Sequence, residues 1–368
     1  MQSTSKGTTR VILLRHGAST FNVEGRYQGC SDKSLLTQEG RTAARLSGER
    51  LKSEGIAVII SSPLQRAAET ASEVRAVFGR SGGGVPLVTD SRLREVDLSA
   101  WEGLPYDRVK QEFPAQLSAW RLNPFELRVL LSSGQDMFPV RNLYSRTESF
   151  WKDLVVAYAG KSVLLVTHGG TARAMVTSAM GLGIDHFQRI QQSNCGISCL
   201  TVRRSGGRAR LELLNDTAHL AATLPKLKEG RTGVRFLLIT ADSDEAEDYL
   251  ELSCILKRVA IDRMLILNSA PSAAMSVFGG HSAAERVSES LLERNLQSIL
   301  EAAMEGQALS QVVVAARTNV VRRLLECCLG LPRGAGRFFD LKRVGINAIH
   351  WPGNGVPPVL QGTNLFGR

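Results

Sequence analysis

Cysteine and aromatic residues are scarce in this chain. Its 368 residues include six cysteines, and aromatic side chains make up 6% of the total. The sequence has no Cys-x-x-Cys pair, and no cysteine has a histidine near it at the spacing of a zinc site. The pattern therefore excludes a zinc module and a disulfide-stapled scaffold. We expect six reduced thiols, as is usual in the cytosol.

Long apolar runs are also missing. No run approaches the roughly 20 residues that a membrane-spanning helix needs. The first ten residues, MQSTSKGTTR, are polar, and this segment is too short to act as a signal or transit peptide before the first predicted strand. We therefore expect a soluble, cytoplasmic protein without a membrane partner.

Acidic residues are outnumbered by basic ones, and the formal net charge is +10. Such a balance suits an anionic partner, which could be a nucleic acid or a phosphorylated metabolite. The basic residues are scattered, however, and the few aromatic residues offer little surface on which single-stranded bases could stack. The composition favours a small phosphorylated metabolite as partner over a nucleic acid.

Strand-like apolar runs alternate with helix-like segments over the first 220 residues. The clearest strands are Val11–Leu14, Ala57–Ile60 and Ser162–Thr167, and each is followed by a segment with helical periodicity. This alternation predicts an α/β fold with a mostly parallel sheet sandwiched by helices. The less regular region from about residue 100 to 151 is predicted to form a helical cap.

The chain contains an internal repeat. Residues 162–198 align with residues 311–347 without a gap, at a constant offset of 149. We interpret the chain as a duplicated α/β unit whose second copy is shortened. The predicted domains are residues 1–222 and 234–368, joined by a polar, proline-containing linker at 223–233.

Two histidines and two arginines follow the three predicted strands. Arg15 and His16 end the first strand, Arg66 opens the helix after the second, and His168 follows the third. Ligands of open α/β sheets bind at the carboxyl ends of the strands, so these side chains should converge. Paired arginines can clamp a phosphoryl group, and a neutral imidazole beside them can attack phosphorus.

Four motifs with these residues resemble the histidine phosphatase superfamily, which includes phosphoglycerate mutases and many phosphatases. They are Leu-Arg-His-Gly-x-Ser-x-x-Asn at 14–22, Ser-Ser-Pro-Leu-Gln-Arg at 61–66, Leu-Arg-Glu-x-Asp-x-x-x-Trp-Glu-Gly at 93–103 and Thr-His-Gly-Gly at 167–170. The resemblance covers about 220 residues. It implies a phosphoglycerate mutase-like fold, and neither a metal nor a cofactor is expected.

The resemblance also implies roles for individual residues. His16 would be the nucleophile, and Glu95 would donate a proton to the leaving alcohol and then activate water. We expect His168 to be protonated, so that its charge stabilises the transition state. The other predicted site residues hold the phosphoryl group or face the substrate, and they are Arg15, Arg66, Asn22, Gln28, Gly29 and Gly169.

The second copy lacks this machinery. In the repeat alignment, Arg15, His16, Arg66 and His168 of the first copy correspond to Thr240, Ala241, Ala273 and Arg317 of the second. These four residues do not have the same chemistry. We therefore predict no catalysis there. This half would brace the first as a built-in dimer partner, or bind a ligand as a regulatory module. Self-association of the whole chain into a homo-oligomer is also open.

The segment around Glu95 resembles the phosphatase branch of the superfamily rather than the mutase branch. Together with residues 138–146 and 191–198, it looks like the 2-carboxy-D-arabinitol-1-phosphatase group of plants and cyanobacteria. The resemblance implies hydrolysis of a small phosphomonoester such as a sugar phosphate or a phosphorylated carboxylic acid. Two alternatives remain, a cofactor-dependent phosphoglycerate mutase and a regulatory protein that senses phosphorylated ligands.

Overall fold

A computed structural model describes residues 7–79, 84–130, 136–228, 230–292, 298, 301, 308–353 and 355–367. The chain divides into two compact units, Met1–Leu211 and Glu212–Arg368. Among the described residues, no helix combines the length and apolar character that crossing a membrane requires. All six cysteines are free thiols.

The first unit alternates strands and helices. Its strands are β1 Thr8–Arg15, β2 Ile56–Ser61, β3 Leu87–Thr89, β4 Val129–Leu130, β5 Asp136–Met137, β6 Ser162–Thr167 and β7 Ile197–Arg203. Its helices are α1 Thr20–Val23, α2 Gln38–Leu51, α3 Gln65–Gly79, α4 Tyr106–Glu112, α5 Pro114–Leu122, α6 Pro139–Ala157 and α7 Gly169–Ala179. Three 3₁₀ turns complete it, at Ser91–Leu93, Pro124–Glu126 and Ile184–Arg189.

The main sheet of the first unit has the order β7-β1-β6-β2-β3. Strands β1, β6, β2 and β3 are parallel, and β7 runs antiparallel to β1. The four apolar residues of Val11–Leu14 are fully buried, because β1 has a neighbouring strand on each side and helices over the sheet. The predicted α/β fold with a mostly parallel sheet is confirmed.

The region predicted as a helical cap contains α4, α5 and the start of α6. Its apolar side chains form one core cluster that includes Trp101, Val109, Trp120 and Val140. Trp101 and Trp120 meet edge to face, with ring centroids 6.2 Å apart. This geometry is favourable for aromatic pairs. The cap therefore packs through a core that it shares with Ala174 of α7 and with Phe187.

The second unit is built from a similar set of elements. Strand β8, Arg210–Asp216, crosses the boundary between the units, and β9 Val234–Ala241, β10 Arg263–Leu267, β11 Ala284–Val287, β12 Ser310–Ala316, β13 Val344–Trp351 and β14 Val359–Leu365 follow. The helices are α8 Leu250–Leu256, α9 Ser272–Phe278 and α10 Thr318–Leu329. Shorter 3₁₀ turns lie at Ala218–Leu220, Ala246–Tyr249 and Ala335–Phe338.

The strand order of the first unit recurs in the second. Strands β13, β9, β12, β10 and β11 are neighbours in that order, with β13 antiparallel to β9 and the others parallel. The 149-residue offset extends beyond the aligned segments, since β8 and β14 begin and end 149 residues apart. Asn215 and Asn364, one in each strand, both have a φ of 53°. A left-handed asparagine inside a strand is uncommon, so its recurrence supports duplication.

The boundary between the units differs from the predicted one. The first unit ends at Leu211, whereas the sequence places the end of the first domain at residue 222. The reason is the pairing of β8, in which Leu214 lies opposite Thr363 of β14. Such a long-range pairing leaves no local signal in the sequence. The linker at 223–233 and the degenerate state of the second copy stay predictions.

Candidate active site

His16 and His168 lie side by side at the carboxyl ends of two neighbouring strands. Strands β1 and β6 are in register, so that Arg15 is opposite Thr167, and each histidine is the next residue. The His16 backbone N–H donates to the Thr167 carbonyl at 2.8 Å. The two imidazole rings have centroids 5.1 Å apart. The parallel pairing alone brings together two residues that are far apart in the sequence.

The His16 ring is oriented with one nitrogen available for attack. Its Nδ1 lies 2.7 Å from the Gly17 carbonyl oxygen, which can only accept, so Nδ1 carries the proton. In the neutral ring, Nε2 then holds a lone pair. Burial, followed by the charges of Arg66 and Arg15, lowers the pKa of His16 well below 6.5. The ring is therefore neutral at pH 7 and can act as a nucleophile.

Two guanidinium groups flank the histidines, that of the fully buried Arg66 and that of the partly buried Arg15. Arg15 donates from Nη1 to the Gln192 carbonyl at 2.9 Å. Arg66 donates from Nη1 to the Ser31 carbonyl and from Nη2 to the Gly29 carbonyl, at 2.9 and 2.8 Å. The Nε atoms of both arginines are buried and have no hydrogen-bond partner among the described residues. Each guanidinium is thus fixed by main-chain acceptors while one N–H donor stays available for an anion.

Burial also acts on the charge of the two arginines. It is the main cause that lowers the pKa of Arg15 to about 10 and the pKa of Arg66 below its usual value, and the nearby Glu95 opposes both shifts. Both groups remain cationic at neutral pH. An anion that binds between them would compensate for the cost of burying these charges.

His168 has one nitrogen bonded and one free of protein partners. Nε2 lies 2.8 Å from the Ser62 hydroxyl, and the buried Nδ1 has no partner among the described residues. Burial, then Arg66, His16 and Arg15, lower the pKa of His168 well below 6.5. The expectation that His168 is protonated is therefore wrong for the free protein. The sequence could not show that the ring would be fully buried near two cations.

We predict that neither histidine titrates near neutral pH in the free protein. The midpoint of each ring should lie well below 6.5, because protonation would place a further positive charge in a buried cationic site. The measurement is an NMR titration of the histidine ring signals, assigned by comparison with His16→Ala and His168→Ala. A midpoint above pH 6.5 for either ring would contradict the prediction.

Glu95 lies at the N-terminus of the helix that follows His168. Its carboxylate accepts backbone N–H bonds from Gly170 and Thr171, both at 3.1 Å, and from Val96 at 2.8 Å. The side chain is 8% exposed. Three main-chain donors therefore hold the Glu95 carboxylate at the start of α7, the helix that His168 caps, so Glu95 lies in the same site as the histidines. An added Cβ at Gly170 would come within 2.5 Å of Glu95 Oε1, so this position needs glycine.

Asn22 and Gln28 form a polar group next to His16. The Ser19 hydroxyl lies 3.0 Å from both the Asn22 Oδ1 and the Gln28 Oε1. Asn194 donates from Nδ2 to Asn22 Oδ1 at 2.9 Å and to the His16 carbonyl at 3.0 Å. The group links the His16 carbonyl to these side chains, so both predicted residues lie in the same site as His16.

The two predicted glycines act through close contacts with the arginines. The Gly29 carbonyl accepts from Arg66, and its N–H donates to Glu102 at 3.1 Å. A Cβ at Gly169 would lie 3.3 Å from Arg15 Nε, so a larger residue would crowd the guanidinium. Gly29 was expected to face the substrate body, and in the structure its contacts position Arg66. Within the described residues, no three His, Cys, Asp or Glu side chains form a group that could hold a metal ion.

The comparison with protein families agrees with this geometry. A family model described as histidine phosphatase superfamily (branch 1) matches residues 11–217, which is more than half of the chain. This chain belongs to the histidine phosphatase superfamily. The resemblance seen in the four sequence motifs is thereby confirmed.

Curated relatives of this chain include two plant proteins. One is a probable 2-carboxy-D-arabinitol-1-phosphatase of Arabidopsis thaliana, 37% identical over 220 residues, which are 59% of this chain and 43% of the relative. The other is the 2-carboxy-D-arabinitol-1-phosphatase of Triticum aestivum, 35% identical over 207 residues, 56% of this chain and 40% of the relative. The match thus spans less than half the length of either plant protein.

A solved structure also matches part of this chain. YhfR of Bacillus stearothermophilus is 30% identical, with a TM-score of 0.50, and the match covers 58% of this chain and 99% of YhfR. The family fold accordingly corresponds to little more than half of the chain.

In the second unit, the first residue of α10, Thr318, is bonded to a side chain of the same unit. Asp242, which follows β9, accepts from the backbone N–H of Thr318 at 3.1 Å and also from its hydroxyl. Arg317, which stands where the repeat predicts a counterpart of His168, lies 3.8 Å from the Asp242 carboxylate and donates to the Ser269 carbonyl. Both helix starts thus bind an internal carboxylate, Glu95 at Gly170 and Thr171 in the first unit and Asp242 at Thr318 in the second.

Sequence reasoning missed three residues that hold this site. Ser62 bonds His168, Asn194 bonds the His16 carbonyl, and Glu102 accepts from two backbone N–H groups of the loop below Arg66. Ser62 and Glu102 lie inside the quoted motifs, and Asn194 lies in the quoted segment 191–198. A systematic reading of the polar residues beside each catalytic candidate would have found them.

Proposed function

We propose that this protein is a metal-independent phosphatase that hydrolyses a small phosphomonoester through a phosphohistidine on His16. The observation that carries the proposal is the neutral His16, whose Nδ1 is committed to the Gly17 carbonyl, beside two arginines whose buried Nε–H donors have no partner among the described residues. A dianionic phosphoryl group fits such a site in charge, and Nε2 supplies the electron pair that forms the N–P bond.

The proposed reaction has two steps. In the first, His16 Nε2 attacks phosphorus, the P–O bond to the alcohol breaks, and Glu95 gives its proton to the leaving oxygen. In the second, Glu95 takes a proton from a water molecule that attacks the phosphohistidine, which releases inorganic phosphate and restores His16. Arg15, Arg66 and the Nδ1–H of His168 hold the phosphoryl oxygens throughout.

The proposed substrate is a sugar phosphate or a phosphorylated carboxylic acid. The names of the two plant relatives support 2-carboxy-D-arabinitol 1-phosphate as one candidate. We propose a small phosphorylated metabolite as the partner of the first unit. For the second unit we propose a bracing role rather than phosphoryl binding, since Thr240, Ala241 and Ala273 stand where the repeat places Arg15, His16 and Arg66 in the first unit.

The proposal predicts phosphate release without added metal. The test is a panel of esters in EDTA, comprising 2-carboxy-D-arabinitol 1-phosphate, 3-phosphoglycerate, phosphoserine, sugar phosphates and p-nitrophenyl phosphate. We expect turnover of at least one small ester, and the ranking of kcat/KM would name the substrate class. Release that requires a divalent metal would overturn the mechanism.

Two other functions would give different results in the same panel. A phosphoglycerate mutase would interconvert phosphoglycerates when primed with a bisphosphoglycerate, without net phosphate release. A sensor would bind an ester tightly and turn none over.

A further inference from the structure

The loop that carries Glu95 has little regular structure of its own. It follows the 3₁₀ turn Ser91–Leu93 and precedes the cap, and Glu95 lies outside every strand and helix. A backbone segment without a strand or helix ladder has to be fixed by other hydrogen bonds if its side chain is to act at a defined place. The source of those bonds is therefore a question about function.

One guanidinium group supplies several of these bonds. Arg146, in α6, donates from Nη1 to the carbonyls of Arg92 and Arg94, at 2.8 and 3.0 Å, and from Nη2 to the carbonyl of Glu95 at 3.1 Å. Its Nε donates to Asn142, one turn earlier on the same helix, at 3.2 Å. The planar group thus joins a long helix to three carbonyls around the proposed proton donor.

Two further donors reach the same carbonyls from other elements. The Thr171 hydroxyl bonds the Arg94 carbonyl at 2.7 Å, and the Cys30 thiol bonds the Glu95 carbonyl at 3.0 Å. Thr171 also donates its backbone N–H to the Glu95 carboxylate. Both the main chain and the side chain of Glu95 are therefore tied to their surroundings, and Arg146 contacts the main chain on each side of the Arg94–Glu95 peptide.

We propose that Arg146 is a positioning residue for the proton donor. It acts through the backbone of residues 92–95 and holds the Glu95 carboxyl where it can reach the leaving oxygen, without touching the substrate itself. This inference rests on the proposed function, because it takes Glu95 as the proton donor. A lysine has no planar fork and cannot span three carbonyls in this way, so the position requires arginine.

The role has a signature that depends on the leaving group. An alkyl ester releases a strongly basic alkoxide and needs the proton from Glu95, whereas p-nitrophenolate is a weak base and leaves without one. Misplacing Glu95 should therefore slow the alkyl ester and spare p-nitrophenyl phosphate. The proper quantity is kcat/KM, since it reports the steps up to departure of the leaving group and not hydrolysis of the phosphohistidine.

The experiment compares four variants on p-nitrophenyl phosphate and on the best alkyl ester of the panel. They are Arg146→Gln, Arg146→Lys, Glu95→Gln and, as a matched control, Arg75→Gln. Arg75 also donates from Nε to a main-chain carbonyl, that of Val85, which is remote in sequence from the site motifs. Circular dichroism and the Tm of each variant would confirm folding.

We expect Arg146→Gln to lower kcat/KM for the alkyl ester by about 10- to 100-fold, at the low end of what a general acid contributes. The same variant should change kcat/KM for p-nitrophenyl phosphate by less than about threefold, because that ester does not need the acid. Arg146→Lys should share the direction of the effect, Glu95→Gln should show it most strongly, and Arg75→Gln should leave both rates unchanged.

Each other outcome would overturn the inference in a distinguishable way. Suppose that Glu95→Gln keeps its selective effect on the alkyl ester. Equal losses on both esters in Arg146→Gln would then show a merely structural role for Arg146, and no loss on either ester would show that it has no role. Equal losses in Glu95→Gln would show that the proposed proton donor itself is wrong, and the inference about Arg146 would fall with it. If Arg146→Gln does not fold, the ratio of the two rates in Arg146→Lys decides.

Discussion

His16→Ala protein should release phosphate from every ester of the panel at least about 10³-fold more slowly than the wild type, because it removes the nucleophile. His16 is 2% exposed. Its Nδ1 is bonded to the Gly17 carbonyl, so its Nε2 is the nitrogen that is free to attack. The arginines that remain could still bind the ester. We therefore expect the loss in kcat rather than in binding.

The measurement is phosphate release together with trapping of labelled enzyme. Wild-type protein that is mixed with a ³²P-labelled ester and quenched in alkali should retain label, since a phosphohistidine withstands alkali and not acid. His16→Ala should retain none, and His168→Ala serves as the comparison because it removes a neighbouring ring with similar burial. Label on His16→Ala would place the covalent step on another residue.

Arg66→Lys should lower kcat/KM by about 10²- to 10³-fold, although it keeps the positive charge. Arg66 is fully buried, and its two Nη atoms hold the Ser31 and Gly29 carbonyls while Nε stays available to the ligand. A lysine has one nitrogen for these three tasks. It would leave buried carbonyls without a donor or the phosphoryl group without a clamp.

The control for this experiment is Arg75→Lys on the same helix, α3. Arg75 is an exposed residue in the second half of the helix, so its replacement should change kcat/KM less than twofold, in keeping with the small effects of surface substitutions. Steady-state kinetics on the best ester of the panel gives the comparison. A loss below about fivefold in Arg66→Lys would contradict the role of the fixed Nε–H donor and leave a simple point charge as the explanation.

Much of the first unit could be predicted from the sequence because its signals are local. The buried run Val11–Leu14, the strand Ser162–Thr167 and the helical periodicity after each are set by burial and by side-chain period, which neighbouring residues encode. The rule that parallel strands present their carboxyl ends at one edge then brings His16 and His168 together, and the structure has their rings 5.1 Å apart.

The protonation of the site could not be predicted in this way. The sequence suggested a cationic His168, but the pKa of its ring is lowered by complete burial and by the charges of Arg66, His16, Arg15 and Arg146, which come from distant parts of the chain. The same holds for Arg146, whose partners at residues 92–95 are some 50 residues away. Distances between distant segments decide both properties.

The sequence by itself determined the α/β class, the family and the set of candidate catalytic residues, because these depend on residue type, spacing and local periodicity. Only the tertiary structure decided which nitrogen of His16 is free and which donors of Arg15 and Arg66 remain for a ligand. It also decided that Asp242 bonds the start of α10 in the second unit. The physical reason is that hydrogen bonding and burial are set by atoms brought together in three dimensions, and a linear pattern does not encode those contacts one by one.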